Sequence, residues 1–219
     1  MMRLRSLKPY MAEFAGTFLL VLLGPGAAVL LHFYPSGADN FIIALSFGIA
    51  VFCAIYILGK ISGAHINPAV SIAFMCLGKL SLKHTFLYII MQCLGAIAAS
   101  LVTLWFFGEP TITGQTIPLH QHSWFIEFAI TFGLMFWILF LIKLKTPMYG
   151  MALGVGFYVF LAAFLIGPLT GASMNPARTL GPAFASGQYQ HLLLYVSSTI
   201  FGAGFACFVI GLLGWTNKV

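Results

Sequence analysis

Charged residues are scarce in this sequence, and acidic residues are the scarcest. Only 6% of its 219 residues are Asp, Glu, Lys or Arg, whereas an ordinary soluble protein has about a quarter. Ten basic and four acidic residues are too few to cover the water-exposed surface of a chain this long. Because 61% of the residues are hydrophobic, the composition excludes a soluble enzyme, a disordered tail and a secreted scaffold, and it predicts a membrane protein.

The residue spacings typical of metal, redox and disulfide sites are also missing. The histidines near the predicted span ends have no carboxylate or cysteine partner at ligand spacing. No nucleophile, base and orienting acid can be assembled from the residues expected at membrane depth. We therefore expect no metal, no other cofactor, no disulfide framework and no enzyme activity. The four cysteines all lie in apolar stretches, without the spacing of a zinc or redox pair: Cys53, Cys76, Cys93 and Cys207.

The few charges are placed in a pattern that predicts membrane topology. Alternate connections between apolar stretches are basic, and the other connections carry the acidic residues Asp39 and Glu109. By the positive-inside rule the basic side is cytoplasmic. The net charge of +6 then reflects topology and not a nucleic-acid partner. We expect an integral protein of the plasma (inner) membrane with both termini in the cytoplasm. Nine of the ten basic residues lie on that side: Arg3, Arg5, Lys8, Lys60, Lys79, Lys83, Lys143, Lys145 and Lys218.

Six apolar stretches are long enough to cross a membrane. A bilayer core about 30 Å thick needs about 20 helical residues. Two further apolar segments, 62–78 and 170–186, are too short to cross, and each is predicted to form half a span. The expected fold is an all-α membrane protein with six transmembrane helices and two half-helices in a single domain, residues 1–219. The spans are predicted at residues 9–32, 40–59, 84–107, 123–143, 147–167 and 190–214.

The two short segments are copies of each other. Residues 62–71, SGAHINPAVS, align without a gap on residues 170–179, TGASMNPART. The openings of the two halves, 13–18 and 127–132, also match. Each half, about 9–107 and 123–214, contains three spans, and since three is odd the second half must cross the membrane in the opposite direction. This inverted repeat predicts that the half-spans enter from opposite faces and meet near the midplane.

Asn followed by Pro predicts a helix start in each half-span, at Asn67-Pro68 and Asn175-Pro176. The Asn side-chain oxygen caps the helix, and Pro suits the first helical position. If both oxygens are used in this way, the donors of both amide groups remain free at the midplane. The preceding loops must be non-helical, which is tolerated at membrane depth where they line a wet cavity. The loop residues predicted to line this pore are Gly63, Ala64, His65, Gly171 and Ser173.

Three charged residues and one histidine are expected at membrane depth. Glu13 and Glu127 occupy matching positions and either couple protons or brace the loops by accepting from unpaired backbone N–H groups; we favour bracing. Arg178 either snorkels to the surface or forms a constriction towards the outer mouth, and the cost of burying it, about 2.5–3.5 kcal/mol, favours a functional constriction. His65 either lines the cytoplasmic vestibule or packs and forms a hydrogen bond.

The two boxes Asn67-Pro68-Ala69 and Asn175-Pro176-Ala177-Arg178, six spans and Glu-Phe near the start of each half resemble an aquaporin over nearly the whole chain. The resemblance implies a homotetramer of six-helix bundles in the lipid bilayer, each with its own pore for water and small neutral solutes. It also implies a selectivity filter that combines an aromatic residue with an arginine. By this resemblance the filter residues are Phe47, Ala163, Ala172 and Arg178.

The filter departs from two subgroups of that family. Water-selective aquaporins have a His in span five, but no His occurs between His122 and His191. Glycerol facilitators have a bulky aromatic residue in the second loop and an Asp after the Arg, where this chain has Ala172 and Thr179. Residues 167–182 are similar to plant nodulin-type intrinsic proteins, which pass water, glycerol and small uncharged metalloid acids. A shift of one residue in span five would place Phe164 in the filter and narrow it.

The sequence thus predicts a passive channel for water and small uncharged solutes that excludes protons and ions. A narrow water-selective aquaporin is the alternative. An ion-coupled transporter with inverted repeats would place acidic ligands at the half-helix tips, which here carry Asn, Ala, Ser and Met. A structural junction protein would use extended outer loops, but the longest outer connection, 108–123, is short and polar.

Overall fold

The computed structural model describes residues 7–108 and 114–215, and within these ranges it contains helices and turns but no strand. Arg3, Arg5, Glu109 and Lys218, which entered the topology prediction, lie outside the described residues. Eight helices follow one another along the described chain: α1 (Lys8–Phe33), α2 (Asp39–Ser62), α3 (Pro68–Cys76), α4 (Leu82–Phe107), α5 (Ser123–Lys143), α6 (Met148–Thr170), α7 (Pro176–Ser186) and α8 (Leu192–Leu212).

Six of these helices are long and apolar enough to cross a membrane. Helices α1, α2, α4, α5, α6 and α8 have 21 to 26 residues and a mean hydropathy of 2.0 to 2.7. At 1.5 Å per residue they measure about 31–39 Å, which exceeds the thickness of a bilayer core. Large apolar side chains such as Trp105 and Leu193, each 78% exposed, cover their outer faces. The prediction of an all-α membrane protein with six spanning helices is confirmed.

Helix α6 continues three residues beyond its predicted end, and α2 does the same. Pro168 lies inside α6 and lacks the N–H that would bond to the carbonyl of Phe164. The side chain of Asn40 replaces that donor, because its Nδ2 atom lies 2.9 Å from Phe164 O. The helix therefore tolerates the proline and ends at Gly171, whose φ of 78° is the left-handed conformation of a helix C-cap.

The two halves of the chain pack in equivalent ways. Helix α1 packs on α4 as α5 packs on α8, while α2 and α6 pack on each other across the pseudo-twofold relation. Glycines allow the closest approaches: a Cβ atom at Gly95 would clash with the Phe14 carbonyl oxygen, and one at Gly202 with that of Phe128. The long helices thereby form one continuous bundle around the two half-helices.

Each half-helix packs on a long helix of the other half. Helix α3 has nine residues and lies on α8, and α7 has eleven residues and lies on α4. These lengths correspond to about 14 and 17 Å, roughly half of a bilayer core. Helices α3 and α7 also contact each other. The interior therefore contains two helix N-termini and the loops that precede them.

Candidate functional site

The two loops that precede the half-helices have the same unusual backbone. Left-handed φ angles in residues other than glycine cost about 1–3 kcal/mol each and persist only where surrounding structure holds them. These loops therefore need external support. Positive φ angles occur in the first loop at Gly63 (89°), Ala64 (46°) and Ile66 (46°), and in the second at Gly171 (78°), Ala172 (40°) and Met174 (52°).

Glu13, on α1, supports the first loop. Its Oε1 atom accepts hydrogen bonds from Ser62 Oγ at 2.7 Å and from His65 N at 2.9 Å. Its Oε2 atom accepts from Ile66 N at 2.6 Å and from Gln92 Nε2 at 2.8 Å. Glu13 is fully buried, so these four donors replace the hydration of the carboxylate.

Glu127, on α5, supports the second loop in the same way. Its Oε1 atom accepts from Thr170 Oγ1 at 2.7 Å and from Ser173 N at 2.9 Å, and its Oε2 atom accepts from Met174 N at 3.0 Å. Both carboxylates thus contact the backbone of the loop in their own half. This geometry supports the bracing interpretation, since neither carboxylate is among the residues that line the central cavity.

Two tyrosines hold the C-terminal ends of α2 and α6, where the loops begin. Tyr88 Oη donates to Ser62 O at 2.9 Å, and Tyr195 Oη donates to Thr170 O at 2.7 Å. Neither tyrosine was predicted from the sequence. Their equivalent places in the two halves could have revealed them, because they are 107 residues apart, close to the 108-residue offset between the loops.

The side-chain oxygens of Asn67 and Asn175 cap the half-helices. Asn67 Oδ1 accepts from Ala69 N at 2.9 Å, and Asn175 Oδ1 accepts from Ala177 N at 3.0 Å. Both asparagines have extended backbones, which is typical of an N-cap residue. The amide groups therefore point away from their own helices.

The amide nitrogens of both asparagines bond across to the opposite loop. Asn67 Nδ2 donates to Met174 O at 2.7 Å, and Asn175 Nδ2 donates to Ile66 O at 2.8 Å. The expectation that all of their donors are free was wrong, because each amide uses one N–H to join the two halves. One N–H remains on each asparagine.

A cavity of about 310 Å³ runs through the bundle past both asparagines. Along α2 its lining extends from Gly59, near the basic end of the bundle, to Phe47. These residues are twelve positions apart, which corresponds to about 18 Å of helix. Asn67 and Asn175 line this cavity, whereas Pro68, Ala69, Pro176 and Ala177, the other residues of the two boxes, are buried and do not line it.

The loops contribute unpaired carbonyl groups on each side of the asparagines. Within the described residues, no hydrogen bond reaches the carbonyl oxygens of residues 63–65 or 171–173. Gly63, Ala64 and His65 line the cavity, as do Ala172 and Ser173. Gly171 does not, contrary to the sequence expectation, because it forms the C-cap of α6 and packs against Thr116.

Arg178 lies inside the bundle and does not snorkel, since only 5% of its surface is exposed. Its Nη1 atom donates to Gly114 O at 3.0 Å, the only hydrogen bond that its guanidinium group makes to the described residues. Its Cζ atom lies 5.0 Å from the centre of the Phe47 ring. Both side chains line the cavity, so the structure brings together the proposed aromatic and arginine members of the filter.

The two alanines assigned to the filter also line the cavity, Ala163 from α6 and Ala172 from the second loop. Phe164, the alternative to Ala163, does not line it. Its ring stacks on Phe160 at 6.0 Å and meets Phe41 edge-on, and it is 37% exposed on the outside of the bundle. The register with Ala163 facing the cavity therefore agrees with the structure.

His65 both lines the cavity and packs, so the two interpretations of this residue are compatible. Its ring stacks on Phe74 at 4.6 Å between centroids, and its Nδ1 atom lies 3.1 Å from Ser71 Oγ. Ser71 and Gln92 were not identified from the sequence. Ser71 matches Thr179 in the repeat, whereas nothing in the repeat points to Gln92.

The sequence is similar to those of a known family of membrane proteins. The sequence profile of the Major intrinsic protein family matches residues 1–210. Aquaporin NIP1-2 of Arabidopsis thaliana is 36% identical over 97% of this chain and 76% of its own length. Aquaporin NIP6-1 of the same plant is 40% identical over 88% of this chain and 64% of its own length, and Nodulin-26 of Glycine max is 34% identical over 97% and 80%.

A similar fold occurs in a solved structure. The X-ray structure of the aquaglyceroporin from Plasmodium falciparum superposes with a TM-score of 0.88 and covers 97% of this chain and 99% of that one. The sequence identity is 24%, so this likeness concerns the fold alone. The shared fold spans nearly the whole of both chains.

Proposed function

The chain belongs to the major intrinsic protein family of membrane channels for water and small solutes, and we propose that it passes water and small uncharged solutes such as glycerol or neutral metalloid acids, while it excludes protons and ions. The observation that carries this proposal is the pair of crossed asparagines in a cavity lined by apolar side chains and unpaired carbonyls. A passive channel needs no further chemistry, because the solute only exchanges hydrogen bonds as it moves.

Proton exclusion follows from the donors at the crossing. Each asparagine has one N–H left, and a water molecule that accepts from both turns its own hydrogens away along the cavity. Such a water cannot accept a proton from its neighbour. The N-termini of α3 and α7 add about half a positive charge each at the same place, which raises the energy of a cation but has little effect on a neutral molecule.

The solute range follows from the four filter residues. Phe47 and Arg178 form one side, and the small side chains Ala163 and Ala172 contribute little volume. The aperture lacks the imidazole that a water-selective filter would place there. A solute with the width of glycerol then passes, and it contacts Arg178 through its hydroxyl groups. The alternative of a narrow water channel would need Phe164 or another large side chain in the filter, but the Phe164 ring packs with Phe160 and Phe41.

We place the protein in the plasma (inner) membrane as a homotetramer of single channel domains, residues 1–219, with both termini cytoplasmic. The ends of the described helices support this orientation. Lys60 at the end of α2, Lys79 between α3 and α4, Lys83 in the first turn of α4 and Lys143 at the end of α5 lie at connections on the same side. Gel filtration with light scattering would measure the number of copies in the detergent-solubilised particle.

Permeability measurements on proteoliposomes test the function. Stopped-flow light scattering would compare water, glycerol, urea and a neutral metalloid acid, with empty liposomes as the control. We expect water and glycerol to permeate, and a pH-sensitive dye inside the vesicles to show no proton flux above that of empty liposomes. Water permeation with glycerol rejected would favour the narrow channel, and proton flux comparable to water flux would refute the proposal.

A further inference from the structure

A chain of hydrogen bonds links the buried carboxylate of Glu13 to the cavity. Gln92 Nε2 lies 2.8 Å from Glu13 Oε2 and 2.9 Å from Ser71 Oγ. Ser71 Oγ in turn lies 3.1 Å from His65 Nδ1. The other ring nitrogen of His65, Nε2, makes no hydrogen bond to any described residue, and the ring lines the cavity. The chain thus ends at an atom that a solute can reach.

The donor and the acceptor of each hydrogen bond in this chain can be assigned one after another, starting from Glu13. Ile66 N–H already donates to Glu13 Oε2, so an ionised carboxylate accepts a second hydrogen bond there and Gln92 presents its NH₂ group. The second N–H of that group donates to Ser71 Oγ. Ser71 is buried and its Oγ has no other hydrogen-bond partner among the described residues. Its single hydroxyl hydrogen therefore goes to His65 Nδ1, because a ring that donated at Nδ1 would leave that hydrogen unpaired. A neutral imidazole that accepts at Nδ1 carries its proton on Nε2.

The reversed set of hydrogen bonds, in which His65 Nδ1 donates to Ser71, is less favourable. Turning the Gln92 amide over would let Ser71 donate to Gln92 and accept from His65 Nδ1, but it would require a protonated Glu13. It would also place the amide NH₂ where Gln92 Oε1 now lies, and that position has no hydrogen-bond partner. Two unpaired buried donors would then replace one unpaired acceptor.

We infer that Glu13, Gln92 and Ser71 are positioning residues that hold His65 as the Nε2–H tautomer, so that its ring donates a hydrogen bond to an oxygen atom of the passing solute. The second loop differs, because the hydroxyl of Ser173 donates to Asn175 O at 3.0 Å and has no hydrogen left for the cavity. The inner half thereby offers a donor beside its carbonyl acceptors. The solute contact rests on the proposed channel function, whereas the tautomer does not.

Solid-state ¹⁵N NMR of the full chain in lipid bilayers measures the tautomer directly. With ¹⁵N-labelled histidine, subtraction of the His65→Asn spectrum isolates the signals of His65. We expect a protonated Nε2 and an unprotonated Nδ1. A protonated Nδ1, alone or together with a protonated Nε2, would overturn the inference.

Two substitutions of Ser71 separate positioning from packing. Ser71→Ala removes the hydroxyl, and we expect a second tautomer of His65 to appear. The water permeability per channel should fall by up to about twofold, because the Nε2–H donor is then present only part of the time. Ser71→Thr is the matched control, since Thr179 occupies the equivalent place in the second half, and it should restore both properties. An unchanged tautomer in Ser71→Ala would overturn the positioning role. An unchanged permeability would overturn the solute contact. A wild-type protein that passes no water would refute the channel function instead.

Discussion

Replacing Glu127 with Gln should destabilise the second loop more than it impairs transport. The carboxylate accepts from Thr170 Oγ1 and Ser173 N through one oxygen and from Met174 N through the other. A Gln side chain keeps one acceptor oxygen and replaces the other with an NH₂ group. That group would face Met174 N–H, so two donors would meet in a fully buried place.

The expected loss can be estimated from this geometry. Loss of a hydrogen bond to a charged group costs about 1.5–3 kcal/mol, and an unsatisfied buried N–H costs about 1–3 kcal/mol. Removing the charge also relieves its desolvation, so we expect the lower part of the summed range, about 3 kcal/mol. For a chain of this size the melting temperature should fall by about 10 °C. Glu13→Gln should cost a similar amount, because each carboxylate oxygen accepts from a backbone N–H, of His65 or of Ile66, and the new NH₂ group would leave one of them unpaired.

Thermal unfolding in detergent, followed by circular dichroism, would measure the change in stability. Stopped-flow permeability divided by the number of folded channels would measure transport. Asp39→Asn is the matched control at the surface, because Oδ1 accepts both the N–H and the hydroxyl hydrogen bond of Ser36 and Asn retains that oxygen. Only a small loss is expected, from the charge at the start of α2. A melting temperature of Glu127→Gln equal to wild type would refute the bracing role, and loss of transport in well-folded Glu127→Gln protein would restore the proton-coupled interpretation.

Three further outcomes are expected. The double substitution Ala163→His with Ala172→Thr should narrow the filter and reduce glycerol permeability at least about tenfold, but water permeability much less. Stopped-flow light scattering would measure both permeabilities, and equal losses would contradict the assignment of these filter residues. Arg178→Val should raise cation leak, measured with a potential-sensitive dye, more than it changes water flux, because a fixed charge acts mainly on ions; an unchanged leak would contradict it. Gly202→Ala should lower the melting temperature, since its methyl group would clash with Phe128 O; an unchanged value would show that the helices separate at little cost.

The long elements were predictable because two independent sequence signals agree on them. Apolar length gave the six spans, and the repeat identified the half-helices that length alone would have left as loops. Helix ends were less predictable. Span five was predicted to end at residue 167, just before Pro168, and nothing local showed that Asn40, 128 residues before this proline, supplies the missing donor to Phe164 O.

The functional site also has features that the sequence predicted and features that it could not predict. The capping oxygens of Asn67 and Asn175 are local properties of an Asn-Pro pair, and the sequence predicted them. The second partner of each amide is a carbonyl in the other half, so only the folded chain shows it. Gln92 was not predicted, because it has no matching Gln in the second half and contacts the site only through Glu13 and Ser71.

The crossed asparagines have a consequence for the synthesis of the chain. Asn67 and its acceptor, Met174 O, are separated by 107 residues, which a ribosome adds in roughly 5–20 s at 5–20 residues per second. Throughout that interval the first loop has its carboxylate brace but neither its acceptor nor the donor that Asn175 supplies to Ile66 O. The first three spans therefore emerge as an unfinished half with an open polar loop, and the interior closes only when the second half inserts beside it.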